Sequence, residues 1–148
     1  MTFVLACAAA IIAVCQAQEY FGKVEFDPCG SSPEFMEVAA PYCNEDECTA
    51  FAGSRFKLKF VGKNIRDYTA HIGVWADFRS IDHPEDSFVY SSNCRDEWTG
   101  YPCQVQKNHN VTGYVGIEIP KNYRRALTKV TLNVYDVGCG VFYIRVSG

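Results

Sequence analysis

Cysteines are the residues of this sequence with the most chemistry to offer, because thiols pair as disulfides and thiolates bind zinc. The chain has eight. Cys7 and Cys15 fall in an apolar leader, and six follow it: Cys29, Cys43, Cys48, Cys94, Cys103 and Cys139. Zinc sites usually contain C-x2-C pairs, whereas the close pairs here are C-x4-C and C-x8-C. We therefore expect a disulfide framework and no metal site.

The leader is the uncharged apolar run from Phe3 to Val14. It is too short to cross a bilayer, and small residues follow it, with Ala17 suited to precede a cleavage site. A Lys or Arg before the run, usual in such leaders, is missing. The sequence predicts a signal peptide over 1–17 and one domain over 18–148. The mature protein is then secreted, to the extracellular space or the endolysosomal lumen.

Six cysteines allow fifteen pairings, and their positions alone do not fix which one forms. Proximity favours Cys43–Cys48 around an acidic tip and Cys94–Cys103 around a short loop. Cys29 and Cys139 are then left to join the two ends of the domain. That bridge would close about 110 residues, a loop for which chain entropy allows roughly 4 to 5 kcal/mol.

The other reactive side chains form no recognisable catalytic set. The histidines have no serine or cysteine nearby in a nucleophile setting; they are His71, His83 and His109. The acidic residues around Asp82 and Asp86 lack the spacing of an EF-hand calcium loop. We expect a protein that is not an enzyme, with no catalytic residue and no cofactor.

Hydrophobic alternation predicts the elements that position the cysteines. The strongest runs alternate apolar and polar residues over 56–60, 70–78, 115–119, 130–134 and 142–146, and weaker ones lie near 23–26 and 35–38. A period of two indicates antiparallel strands with one buried face, and no run has the helical period. About seven short strands predict an all-β, immunoglobulin-like two-sheet sandwich. The Cys-Trp-Cys spacing of standard immunoglobulin domains is absent.

The net charge and one modification motif limit which partners and modifications we expect. The net charge is −3 and no strongly basic face is obvious, so we expect no nucleic-acid partner. Asn110-Val111-Thr112 is a glycosylation sequon in a chain expected to be exported, which makes Asn110 the candidate acceptor.

Several local sequences resemble a known family. Asp27-Pro28-Cys29-Gly30 lies near the start, Thr69-Ala70-His71-Ile72 begins the long central strand, and Ile119-Pro120 lies sixteen residues after Cys103. With the order of the six cysteines, these pieces resemble the ML lipid-recognition family, in particular its group 2 mite allergens and its Niemann–Pick type C sterol carrier. Two places depart from the family: Gln104 follows Cys103 where proline is frequent, and 77–81 lacks the Pro-rich loop of sterol carriers.

The resemblance implies an immunoglobulin-like sandwich with an apolar cavity between the sheets and the nested disulfide pairing described above. It implies ligands such as sterols, fatty acids or glycolipids, in lipid transport or innate immune recognition. The candidate ligand contacts are the inward-facing and strand-end apolar residues, namely Phe56, Leu58, Phe60, Ile72, Val74, Phe78, Ile81, Val115, Ile117, Ile119, Tyr123, Leu132, Val134, Phe142 and Ile144.

The same resemblance places an entrance at the strand ends around Phe78, Ile81, Pro120 and Tyr123. Basic residues follow it directly, at Lys121, Arg124, Arg125 and Lys129. They either form a rim for a carboxylate, an anionic headgroup or an anionic membrane, or are an ordinary solvated turn.

A rival function uses the same sandwich. A secreted immunoglobulin-like adhesion or receptor-binding domain would have a filled core and no ligand. The volume left between the inner faces discriminates the two functions, because a filled core needs no void.

Overall fold

The computed structural model describes residues 20–30, 32–44 and 47–148. The predicted signal peptide and the predicted domain boundary at residue 18 lie outside the described residues. The described chain forms thirteen strands and one 3₁₀ helix, Pro84–Asp86. The strands are β1 Gly22–Lys23, β2 Asp27–Pro28, β3 Glu37–Ala40, β4 Thr49–Phe51, β5 Arg55–Lys63, β6 Ala70–His71, β7 Gly73–Ser80, β8 Phe88–Asn93, β9 Thr99–Gly100, β10 Gln104–Val105, β11 Asn110–Glu118, β12 Ala126–Val134 and β13 Gly138–Ser147.

These strands form two facing sheets. Sheet A has the order β1-β3-β5-β11-β9, and sheet B has the order β2-β13-β12-β7-β8. Their pairings are antiparallel, except that β4 adds to the end of β13 in parallel. A short ladder of β6 and β10 lies beside them. The predicted all-β, two-sheet sandwich is therefore confirmed.

Alternation determines which side chains fill the space between the sheets. In β5 the residues with even numbers are buried and face partners of the same kind in β11, as in the pairs Phe56–Ile117 and Leu58–Val115. Of the fifteen predicted ligand contacts, all but Ile81 are buried and belong to one hydrophobic core. Ile81, which was assigned to the predicted entrance, is 48% exposed at the turn after β7.

The sequence analysis predicted no strand where β4, β8, β9 and β10 lie, and it predicted as one strand a segment that the structure divides. β8 lies between the predicted strands 70–78 and 115–119, and it pairs with β7 at the edge of sheet B. The sequence analysis did not predict β8, because its serines and asparagine resemble loop residues. An edge strand tolerates such residues, since it buries only part of each side chain. The predicted central strand is divided at Ile72, whose amide donates to the carbonyl of Cys103 rather than to a sheet neighbour.

Three disulfides hold this framework, and they are the pairs that the sequence analysis predicted. Cys29–Cys139 joins the segment after β2 to β13, with 5.4 Å between the Cα atoms. Cys43–Cys48 closes the turn before β4, and Cys94–Cys103 closes the loop that carries β9. No described group of cysteine, histidine and acidic residues is arranged to hold a metal ion. Within the same residues, no helix is long and apolar enough to cross a membrane.

Candidate functional site

A groove of about 630 Å³ opens where the chain passes from sheet A to sheet B. β3 pairs with β5 only from Val61 to Lys59, and the chain then leaves through Pro41 and the Cys43–Cys48 turn. It resumes as β4, which pairs with β13 of the other sheet. The first half of β5 therefore has no β3 beside it, and the groove occupies that gap.

Core residues form the floor of this groove. Ala50 of β4 and Phe56 of β5 line it, and they are only 1% and 4% exposed. Aromatic side chains form its walls: Tyr20, Tyr42 and Phe51 are exposed by 82%, 75% and 44%. Such an apolar floor with exposed aromatic walls suits an apolar ligand, and the volume is within the range usual for small-molecule sites.

The polar groups of the groove lie along its rim. Thr49 and Ser54 contribute hydroxyls, and Arg55 and Lys57 contribute the two cations. Both cations project outward from β5, since their neighbours Phe56 and Leu58 face the core. A ligand with one polar end thus has hydrogen-bonding and charged groups within reach only at the rim.

Tyr42 is held in an unusual backbone conformation. Its φ is +57°, a region that bulky residues rarely adopt and that costs about 1–3 kcal/mol. The neighbouring turn enforces it: the amide of Thr49 donates to the Tyr42 carbonyl at 3.2 Å, and the disulfide follows directly. The ring meets Phe51 edge to face, with 6.0 Å between centroids. This backbone conformation therefore accompanies an exposed position of the Tyr42 ring at the wall of the groove.

A second groove, about 240 Å³, lies next to the first on the outer face of sheet A. Phe21, Trp98 and Tyr114 line it, and Lys57 belongs to both grooves. Between them the Arg55 guanidinium lies over the Trp98 ring, 3.8 Å from its centroid.

The predicted entrance is filled by aromatic rings. Phe78 stacks on Phe88 with 4.5 Å between centroids, and Phe88 meets Tyr123 edge to face at 5.7 Å. The Tyr123 hydroxyl shares a hydrogen bond of 2.9 Å with Thr128, and burial raises the pKa of that phenol. A small cleft of about 130 Å³ lies here, partly lined by Pro120.

The basic residues that follow the predicted entrance differ in their surroundings. Arg124 binds Glu85 and Asp86, with 2.6 Å between its Nε and an Asp86 oxygen. The hydrogen bond from Arg124 lowers the pKa of Asp86. Lys129 lies elsewhere, on the outer face of sheet B opposite Arg79. Sequence could not reveal the Arg124 pairing, because its partners are 38 and 39 positions away.

The predicted cavity between the sheets is not shown. The inner faces of the described residues pack against each other, and at the end away from the first groove Phe60 meets Phe35 and Tyr101 at 6.1 and 6.0 Å. Of the fifteen candidate ligand contacts, only Phe56, Val115 and Tyr123 line one of the three grooves, each a different one. The candidate glycosylation site, Asn110, opens β11 and is exposed.

Sequence reasoning missed Tyr42, Phe51 and Arg55. Tyr42 belongs to a turn, and Phe51 ends a strand of three residues, so neither stood in an alternating run. Arg55 precedes the alternating run that begins at Phe56. The missed signal was the pair of aromatic residues on either side of the short Cys43–Cys48 loop.

Comparison with known proteins gives one informative likeness. The structure matches the crystal structure of a Niemann-Pick type C2 protein from the Japanese carpenter ant with a TM-score of 0.64 and 15% sequence identity. The match covers 83% of this chain and 99% of that one. At this identity the likeness shows the fold alone, and it supports the fold that the resemblance to the ML family implied.

A second solved structure is too distant to support an argument. It is a Pseudomonas fluorescens alkylpurine DNA glycosylase bound to DNA containing an abasic site analog, with a TM-score of 0.48 and 8% identity. That match covers 68% of this chain and 28% of the glycosylase. No protein-family model matches the chain, and no curated protein does.

Proposed function

We propose that this protein is a secreted, non-catalytic lipid carrier that seats the apolar tail of its ligand in the groove between β4 and β5. The observation that carries the proposal is the floor of that groove. Ala50 and Phe56 are core residues of the two sheets, yet they line an open groove of about 630 Å³. The Niemann-Pick C2-like sandwich and the ML-like sequence support a lipid as the ligand.

The energetics of the groove suit a single tail. Each CH2 taken out of water contributes about 0.8 kcal/mol, so six methylenes contribute about 5 kcal/mol. The walls and floor are mostly apolar, and the polar groups lie at the rim. Affinity then comes from the tail and selectivity from the rim. A sterol, a fatty acid or a glycolipid each has the required apolar part.

The cellular setting of the proposal follows from the framework. Three disulfides and a Niemann-Pick C2-like fold suit an extracellular or lysosomal protein. In either place the protein would carry lipid in transport or present it in innate recognition. Its partner would be the lipid, with transient contact to a membrane or a receptor.

A direct binding experiment tests the proposal. Thr49 lines the groove, so Thr49→Trp should fill it and weaken binding of a fluorescent fatty acid to delipidated protein about tenfold or more. Thr131→Trp is the matched control, since Thr131 of β12 is half-buried like Thr49 and lines none of these three grooves. Wild-type protein that rejects fatty acids and sterols, and carries no lipid in native mass spectrometry, would contradict the carrier function.

A second candidate function follows from the packed interior. The inner faces are filled, as expected of an adhesion or receptor-binding domain. In that case the exposed aromatic residues around the groove would contact another protein. Binding of fluorescent lipid to the wild type, lost in Thr49→Trp, would exclude this alternative.

A further inference from the structure

Arg55 differs from the other arginines of the structure in what its guanidinium contacts. Four arginines form ion pairs within the described residues: Arg66 with Asp136, Arg79 with Asp77, Arg124 with Glu85 and Asp86, and Arg145 with Glu47. Arg55 forms none there, nor do Arg95 and Arg125, but Arg55 alone of these three contacts an aromatic ring within the described residues. A carboxylate is near in the ladder, since Glu118 is the cross-strand partner of Arg55. The guanidinium nevertheless lies over the ring of Trp98.

The backbone around Arg55 is built to allow this position. Gly116 lies under the Arg55 side chain, and a Cβ there would be 2.6 Å from the Arg55 Cδ and 3.2 Å from the Trp98 Cβ. Trp98 itself has a φ of +62°, the second strained aromatic residue beside the grooves after Tyr42. The only other non-glycine residues with positive φ in the described chain are Asn108 and Asp136, types that tolerate it.

This arrangement leaves Arg55 ready for a stronger partner. A cation over an exposed aromatic ring is held weakly, whereas a guanidinium binds an oxyanion through two parallel, charge-assisted hydrogen bonds. Arg55 lines the 630 Å³ groove, so its guanidinium can reach a group at the rim while the tail lies on Phe56. Lys57, which lines both grooves, adds positive charge on the same face.

We infer that Arg55 is the headgroup anchor of the groove and that the ligand is an anionic amphiphile, with one oxyanion head on an apolar tail. This inference rests on the proposed function, because it assigns a head to the tail bound in the groove. Ligand binding moves the guanidinium from Trp98 to the oxyanion. Trp98 is thus the resting position of the anchor in the free protein.

The experiment compares a fluorescent long-chain fatty acid with the alcohol of the same chain, each titrated into delipidated protein. The wild type should bind the acid about tenfold more tightly, as expected for a charge-assisted pair. Arg55→Gln should lose that preference by weakening the acid alone, and Arg55→Lys should keep part of it. Arg95→Gln is the matched control, since Arg95 is exposed and lines none of the grooves.

Tryptophan fluorescence gives a readout that a merely structural role of Arg55 would not produce. The acid should change the emission of Trp98 as the guanidinium leaves the ring, and the alcohol should not. The change should vanish in Trp98→Leu, which retains the only other tryptophan, Trp75.

The outcomes separate this inference from the proposed function. Equal binding of acid and alcohol by the wild type, or equal losses of both in Arg55→Gln, would overturn the inference and leave the carrier function standing. Failure of the wild type to bind either would remove both. Acetate and inorganic phosphate should not displace the bound acid at equal concentration. Displacement would show that Arg55 binds free anions and would overturn the inference that the ligand is an amphiphile.

Discussion

Phe60 lies across Gly113, its partner in the β5–β11 ladder, so closely that a Cβ on Gly113 would be 2.2 Å from the Phe60 ring. The glycine is thus the space into which the ring fits. Gly113→Ala should destabilise the fold by about 1–3 kcal/mol, because the packed core cannot absorb the added methyl. Chemical denaturation measures this loss in the free energy of unfolding. Gly100→Ala is the control, since its nearest contact would be an ordinary 3.8 Å, and equal losses in both variants would contradict the argument.

We predict that the Tyr42 side chain strengthens ligand binding at some cost in the free energy of unfolding. Tyr42→Asn should keep or raise the free energy of unfolding by up to about 1 kcal/mol, because asparagine tolerates the positive φ. The same change should weaken fatty-acid binding, since a wall of the groove is lost. Tyr68→Asn removes another exposed tyrosine ring, 54% exposed, from outside the groove and should leave binding unchanged. A Tyr42→Asn protein with wild-type affinity would remove Tyr42 from the site.

Acid should release the connection between Arg124 and the 3₁₀ helix. The pKa of Asp86 is lowered by its hydrogen bond with Arg124, so the folded state binds fewer protons than the unfolded state near the ordinary value of 3.8. The stabilisation is therefore present above that value and lost as the pH falls through the lower folded pKa. The stability difference between wild type and Arg124→Gln should be constant from about pH 7 to about pH 5 and shrink below it. A difference independent of pH down to unfolding would contradict this pairing.

The disulfides should differ in their contribution to stability. Cys29–Cys139 closes a separation of 110 residues, and Cys94–Cys103 closes 9. Chain entropy then predicts a loss of about 5 kcal/mol for the Cys29→Ser, Cys139→Ser double variant and about 2.5 kcal/mol for the Cys94→Ser, Cys103→Ser variant. Thermal unfolding of the two double variants gives the order. A larger loss from the short loop would show that local packing outweighs chain entropy here.

Much of the fold could be predicted because its signals are local. Alternation in β5, β11, β12 and β13 is a property of neighbouring residues, and it survives because one face of each strand is buried. β8 was not predicted, because an edge strand needs only partial burial and its polar residues resemble those of a loop.

The candidate site could not be predicted in the same way, because it depends on where the chain changes sheets. Phe56 was identified as an inward residue, but nothing local indicates that β3 stops short of it. The position of Arg55 over Trp98 depends on a glycine in a third segment, Gly116. Contacts between distant segments therefore decide which apolar residues become core and which become the floor of a groove.

The passage of the chain from β3 to β4 has a mechanical consequence. One wall of the groove belongs to sheet A and the other to β4, which is attached to sheet B. A tail seated there would touch both layers at once and act as a removable crosslink against their sliding. Its free energy of binding would then add to the resistance of the sandwich to unfolding, in proportion to the logarithm of ligand concentration above the Kd. Ligand binding would thus stabilise the whole domain against unfolding, and ligand release would remove that stabilisation.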